Sequence, residues 1–164
     1  MANEFSFDVV SEYDHAELTN ALDQTRREVG TRYDFKGTDP TISLQGETLV
    51  LEASSEDRAK AVLQVLLEKG ARRGLSAKLF KAGEPKTVGR GRGQLEVKLN
   101  AGINDDLARD LRKRVQGVSP KVQVRIQGDQ LRVSSASKDL LQAAIKVLRE
   151  ADDIPVPLEF KNYR

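Results

Sequence analysis

A chain of 164 residues, 38% apolar and 32% charged, holds enough hydrophobic side chains for a packed core. It contains no cysteine, which excludes a disulfide framework, a thiolate metal site and a thiol nucleophile. The formal net charge of +2 is unevenly placed: residues 1–82 carry 11 Lys/Arg against 14 Asp/Glu, and residues 83–164 carry 16 against 11, so the second half is expected to meet anions.

The first residues, through Asp8, have neither a basic stretch nor an apolar run. No segment reaches the ~18 apolar residues of a membrane span, so a cytoplasmic chain without a membrane partner is expected. Phe5, Phe7 and Val9 alternate with polar residues and read as a strand. Ser11 or Asp14 can cap the next helix, which carries Leu18, Ala21, Leu22, Thr25 and Val29 on one face and ends near Gly30. Arg32–Gly37 reads as a short extended segment. Ile42–Leu51 then alternates around Gly46, as a hairpin with a glycine turn does. A helix follows from about Ser55 to Lys69, then a basic loop, Ala71–Gly74, and a strand, Ser76–Lys81.

Residues 83–93, with four glycines and Pro85, read as a linker. Beyond it Leu95, Val97 and Leu99 alternate as a strand, and Ile103, Leu107, Leu111 and Val115 form a helical stripe behind the cap region Asn104-Asp105-Asp106. A second hairpin turns at Gly128, and a second helix carries Leu141, Ala144, Ile145 and Leu148. Pro155 and Pro157 precede a final strand, Leu158–Lys161.

Hairpin and helix are written twice. Leu44–Leu66 aligns without gaps on Ile126–Leu148, 82 positions later, with eight of 23 residues identical. So long a period indicates a duplicated small domain rather than a solenoid. Each half reads β-α-β-β-α-β. The fold class expected is α+β: two ferredoxin-like split βαβ sandwiches in tandem, residues 1–82 and 94–164, joined by 83–93. The helix-free face of the second sheet would then show Gln94, Glu96, Lys98, Lys121, Gln123, Arg125, Gln127, Arg132, Glu159, Lys161 and Tyr163. That face is basic and hydrogen-bonding, and it lacks the stacked aromatics of an RNA-recognition motif.

Catalytic apparatus is not visible. His15 is the only histidine, at a helix start. No phosphate-binding Walker loop, zinc-protease motif, calcium loop or nucleophile elbow is present, so neither an enzyme nor a cofactor or metal is expected. Gly89–Gly93 alternates glycine with arginine and can be read as a cationic grip or as a soluble linker. Two stretches join aromatics to cations: Arg32-Tyr33-Asp34-Phe35-Lys36-Gly37 and Phe160-Lys161-Asn162-Tyr163-Arg164. Such pairs stack a base and hold its phosphate, although Phe35 and Phe160 also suit a core.

These stretches, with Ser6–Ser11, Lys98–Ile103, Ile126–Asp129, Arg132-Val133 and Asp139–Ala143, run from end to end in the order of the YajQ family of small bacterial nucleotide-binding proteins, which the chain resembles. Departures lie at Leu99–Gly102, where the family usually has Lys-Gln-Gly, and at Gly89–Gly93, which is usually less rich in glycine. The resemblance implies that the two units exchange their first strands, residues 5–11 completing the second unit and 94–100 the first. It also implies binding of nucleotides (cyclic di-GMP in some members, or the GTP or ATP class), action through a transcription-regulator partner, and an RNA partner as a further proposal. On these motifs the nucleotide-binding candidates are Arg32, Lys36, Arg125, Arg132, Lys161, Tyr163 and Arg164, with Lys98 beside them. Two other readings stay open: an RNA- or tRNA-binding module on the second unit's basic face, and a protein-interaction adaptor without a nucleotide site.

Overall fold

The structure, a computed structural model, describes residues 4–164. In chain order the elements are β1 (Phe5–Val10), α1 (His15–Thr31), β2 (Thr41–Gln45), β3 (Thr48–Ala53), α2 (Glu56–Arg72), β4 (Phe80–Ala82), β5 (Lys86–Val88), β6 (Arg92–Leu99), α3 (Asp105–Gln116), β7 (Gln123–Gln127), β8 (Gln130–Ser135), α4 (Lys138–Glu150) and β9 (Glu159–Lys161). Each helix has a polar N-cap of the kind its sequence supplies. Asp14, Ser55, Asn104 and Ser137 accept backbone N–H groups of the first turns of α1, α2, α3 and α4 at 2.8–3.3 Å. Of the two candidates before α1, Asp14 is the cap; the Ser11 hydroxyl accepts the Gly102 N–H instead, at 3.0 Å.

The strands form two antiparallel sheets, ordered β7-β8-β1-β9 and β2-β3-β6-β4, with β5 also on β6. Numbering strands by the ferredoxin-like plan, both read 2-3-1-4. The position-one strand of each comes from the other half of the repeat: β1 lies between β8 and β9, and β6 between β3 and β4. One compact unit therefore joins the residues up to Glu12 to Ala101–Arg164, and the other is Tyr13–Asn100.

In the first of these units the register sets Phe7 opposite Val133, and Val9 opposite Leu131 and Phe160. This puts Phe7 and Val9 on the helix-covered side, in one buried cluster with Leu111, Val115, Ile145 and Leu148. In the second unit Leu49, Leu51, Leu95 and Val97 alternate toward the buried face of α2, where Val62 and Leu66 have no exposed surface. Burying such a side chain stabilises by about 1.5–3 kcal/mol, and period-2 strands under period-3.6 helices do so at every second strand position. Both hairpins turn on a two-residue loop whose first member is glycine, Gly46 at φ +64° and Gly128 at φ +63°, with only that residue left-handed. A type II′ turn needs this, and glycine adopts it without strain.

Three local expectations change. Arg32–Gly37 is not extended: Tyr33–Phe35 is a 3-10 turn, closed by the Thr38 hydroxyl donating to the Phe35 carbonyl at 2.7 Å, and Phe35 is buried. The stretch 76–81 begins as a 3-10 turn, Ala77–Leu79, so only Phe80–Ala82 is strand. Within 83–93, β5 folds back on Arg92–Gln94 around Arg90 and Gly91, both left-handed. Gly93 is not there for flexibility. A Cβ on it would lie 2.0 Å from the Ser55 carbonyl carbon and 2.2 Å from the Glu56 nitrogen, so glycine lets β6 pass directly under the start of α2.

Candidate functional site

The helix-free face of the β7-β8-β1-β9 sheet is built by the residues that alternate with the core. Arg125 stands directly across from Arg132, Arg132 from Asp8, and Asp8 from Lys161, giving one charged row over all four strands. Asp8 is only 2% exposed. Its Oδ1 accepts from Arg132 Nε at 3.0 Å, and its Oδ2 from the Asn162 amide at 2.7 Å. The Arg132 hydrogen bond holds the carboxyl below the usual range; burial opposes this and the Asn162 bond adds to it. The same contact raises the Arg132 pKa. Only Nε of that guanidinium is engaged, and its side chain is 36% exposed, so the two Nη nitrogens have no protein partner among the described residues. Arg125, across the strand, makes no ion pair among the described residues either. Like charges directly opposite each other in a sheet repel.

Lys161 is differently placed. It hydrogen-bonds the Glu12 carboxylate and lies 3.4 Å from Glu159, with its pKa raised chiefly by Glu12. Carboxylates of the chain thus already pair with two of the predicted cations of this face, Arg132 and Lys161.

Tyr163 is not on the open face, and this corrects the strand alternation expected for it. Asp8 pairs with Lys161, but Ser6 exchanges both backbone hydrogen bonds with Arg164, at 3.2 and 3.0 Å. Two residues, Asn162 and Tyr163, therefore oppose one, Phe7: a bulge at Asn162, whose φ is +58°. The extra residue turns Tyr163 to the helix side, its ring centroid 6.1 Å from that of Phe7. There Tyr163 and Arg164 help to wall a cleft of about 360 Å³ with Phe5, Lys138 and Gln142.

The remaining candidates belong to the other unit. Arg32 clamps its own loop, with Nε and Nη2 on Asp34 at 2.9 and 2.7 Å, Nη1 on Glu28 at 3.2 Å, and the guanidinium 5.3 Å from the Phe35 ring centroid. Its guanidinium is thus already paired with carboxylates, while the side chain stays 43% exposed. Lys36 is exposed beside the 3-10 turn. Lys98 lies on β6 opposite Thr48 and Lys81, so Gln94, Glu96 and Lys98 belong to the Tyr13–Asn100 sheet and not to the face with Arg125. Five of the eight candidates, Arg125, Arg132, Lys161, Tyr163 and Arg164, fall in one unit. Asp8, Asn162, Phe5, Lys138 and Gln142 are not among the candidates read from the sequence. Asp8 had a signal: a carboxylate at the second polar position of an otherwise apolar strand needs a partner once that strand is central.

Among the described residues no group of three or more His, Asp or Glu is arranged to hold a metal, and no helix is long and apolar enough to cross a membrane.

Fold and face together define a class: a duplicated ferredoxin-like protein that presents cations on the helix-free face of a sheet. A family model described as nucleotide-binding protein YajQ-like matches residues 5–164, and the chain belongs to that family. It is 50% identical over 165 residues to a protein of Chloroflexus aurantiacus, 46% over 165 to one of Roseiflexus castenholzii, and 46% over 164 to one of Synechococcus elongatus. Each match covers 100% of both chains, and each relative is described as a nucleotide-binding protein.

Proposed function

We propose that this chain is a non-enzymatic nucleotide-binding protein whose open β7-β8-β1-β9 face receives phosphate. One observation carries the reading: Arg125 and Arg132 face each other across the strands, while buried Asp8 fixes Arg132 by Nε alone. That arrangement fixes a guanidinium whose Nη nitrogens have no partner among the described residues, directly across the strands from a second arginine. A bound phosphate relieves their repulsion and accepts hydrogen bonds from both. The description of the relatives as nucleotide-binding proteins supports the same ligand class.

Cyclic di-GMP, with two phosphodiesters and two guanines, is the ligand we favour over GTP or ATP, and the signal would pass to a protein partner such as a transcription regulator. Calorimetry of the full chain against cyclic di-GMP, GTP and a short RNA tests this. Arg125→Ala is the informative variant, because Arg125 has no ion pair among the described residues whose loss would disturb the fold. Its affinity should fall at least tenfold; unchanged affinity refutes the placement. RNA binding that collapses steeply with salt, with no dinucleotide heat, would instead indicate an RNA-binding module. Heat from none of the three would leave the adaptor reading.

A further inference from the structure

We propose that the cleft between the start of α4 and the residues following β9 is a subsite for a nucleobase that carries a phosphate. The inference rests on the nucleotide-binding reading above, but on a different set of residues. The cleft has the size of a small-ligand pocket, about 360 Å³, and it lies wholly within the unit that carries Arg125. Its walls combine two rings, Phe5 and Tyr163, with two cations, Lys138 and Arg164, and one amide, Gln142. The Lys138 ammonium sits 4.8 Å from the Phe5 ring centroid. Neither Lys138 nor Arg164 has a carboxylate in salt-bridge contact among the described residues. An apolar floor with cations outside any close ion pair at its rim is complementary to a flat, anionic ligand.

The placing of Tyr163 is built, not incidental. Strand alternation alone would leave its ring on the open face. The left-handed Asn162 inserts one residue, and the Asn162 amide is tied to Asp8, which in turn holds Arg132. Bulges of this kind re-aim a side chain. Tyr163 remains 57% exposed, so its outer face is open to a stacking partner. One bulge thus delivers an aromatic to the cleft while its own side chain helps to fix an arginine on the opposite face of the same sheet.

The test uses the full chain with GMP, guanosine and cyclic di-GMP. Tyr163→Leu keeps bulk but removes the ring and should weaken GMP at least fivefold, whereas Tyr163→Phe should bind like the parent. Lys138→Gln should weaken GMP and leave guanosine unchanged. The chain has no tryptophan, so Tyr163→Trp supplies a single reporter whose emission should be quenched by guanine at saturation. If Arg125→Ala loses affinity while Tyr163→Leu does not, the cleft assignment is overturned and the open-face reading stands. If Tyr163→Leu loses affinity and Arg125→Ala does not, the cleft stands and the open-face phosphate site falls. No heat from GMP, GTP or cyclic di-GMP with the parent chain overturns both.

Discussion

Gly93→Ala is the sharpest test of the packing, because sequence and structure give that glycine opposite meanings. In a linker an alanine there would be neutral or slightly stabilising, by narrowing the unfolded ensemble. In the structure the added Cβ meets backbone at three points: 2.0 Å from the Ser55 carbonyl carbon, 2.2 Å from its oxygen and 2.2 Å from the Glu56 nitrogen. An ordinary contact needs at least 3.4 Å, so β6 and the start of α2 must part by more than 1 Å. No side chain there can rotate away. Overpacking that side chains can absorb costs about 1–3 kcal/mol. Here the separation also strains the pairing of Gly93 with Ala53 and Thr87, so about 3 kcal/mol or more is expected. With a urea slope of about 2 kcal/mol/M the midpoint should fall by about 1.5 M, and the melting temperature by roughly 6–12 °C. Gly89→Ala is the internal control: nothing lies within 4 Å of where its methyl group would stand and its φ is not left-handed, so the change should stay within about 0.5 kcal/mol. A Gly93→Ala midpoint within about 0.3 M of the parent would refute the close approach.

Three further outcomes follow from the site. Asp8 has a folded pKa below its unfolded value, so its carboxylate stabilises the fold above about pH 4 and that contribution is lost as pH falls through the folded value. Asp8→Asn should therefore lower the urea midpoint at pH 7, with the gap to the parent closing below about pH 4; a pH-independent gap would contradict the pairing with Arg132. Asn162→Ala forces alanine to a left-handed φ of +58° and removes the amide bond to Asp8, and should lose about 1–2 kcal/mol in denaturant titration. Asn162→Gly should lose less, since glycine accepts that backbone. Gly46→Ala and Gly128→Ala, at nearly equal φ, should each destabilise by about 1–2 kcal/mol; a neutral result at either would argue against the type II′ turn.

Elements are more legible than their partners. The alternation of Leu49 and Leu51, and the stripe of Val62, Leu63 and Leu66, are local patterns, and the structure realises both. Arg32 shows the limit. Its place in an aromatic and cationic motif suggests a phosphate donor, yet its three bonded nitrogens are held by Asp34 and Glu28, a geometry set by how α1 ends and the chain turns. Lys98 groups with Arg125 by its place in the second half of the repeat; the pairing of β6 with β3 and β4 puts it in a different sheet. Period-2 counting gives Tyr163 the open face, and a single left-handed residue reverses it.

The amino-acid sequence by itself determined the duplication, the four amphipathic helices and the two glycine-turned hairpins, because each element depends on side chains within one or two turns of one another. Tertiary structure alone decided which sheet received β1 and β6, that Asp8 would be buried against Arg132, and that Tyr163 would enter a cleft. The physical reason is that an alternating strand satisfies either sheet equally well by its own pattern; the choice lies in hydrogen-bond register with strands far along the chain, for β1 with residues more than a hundred positions away.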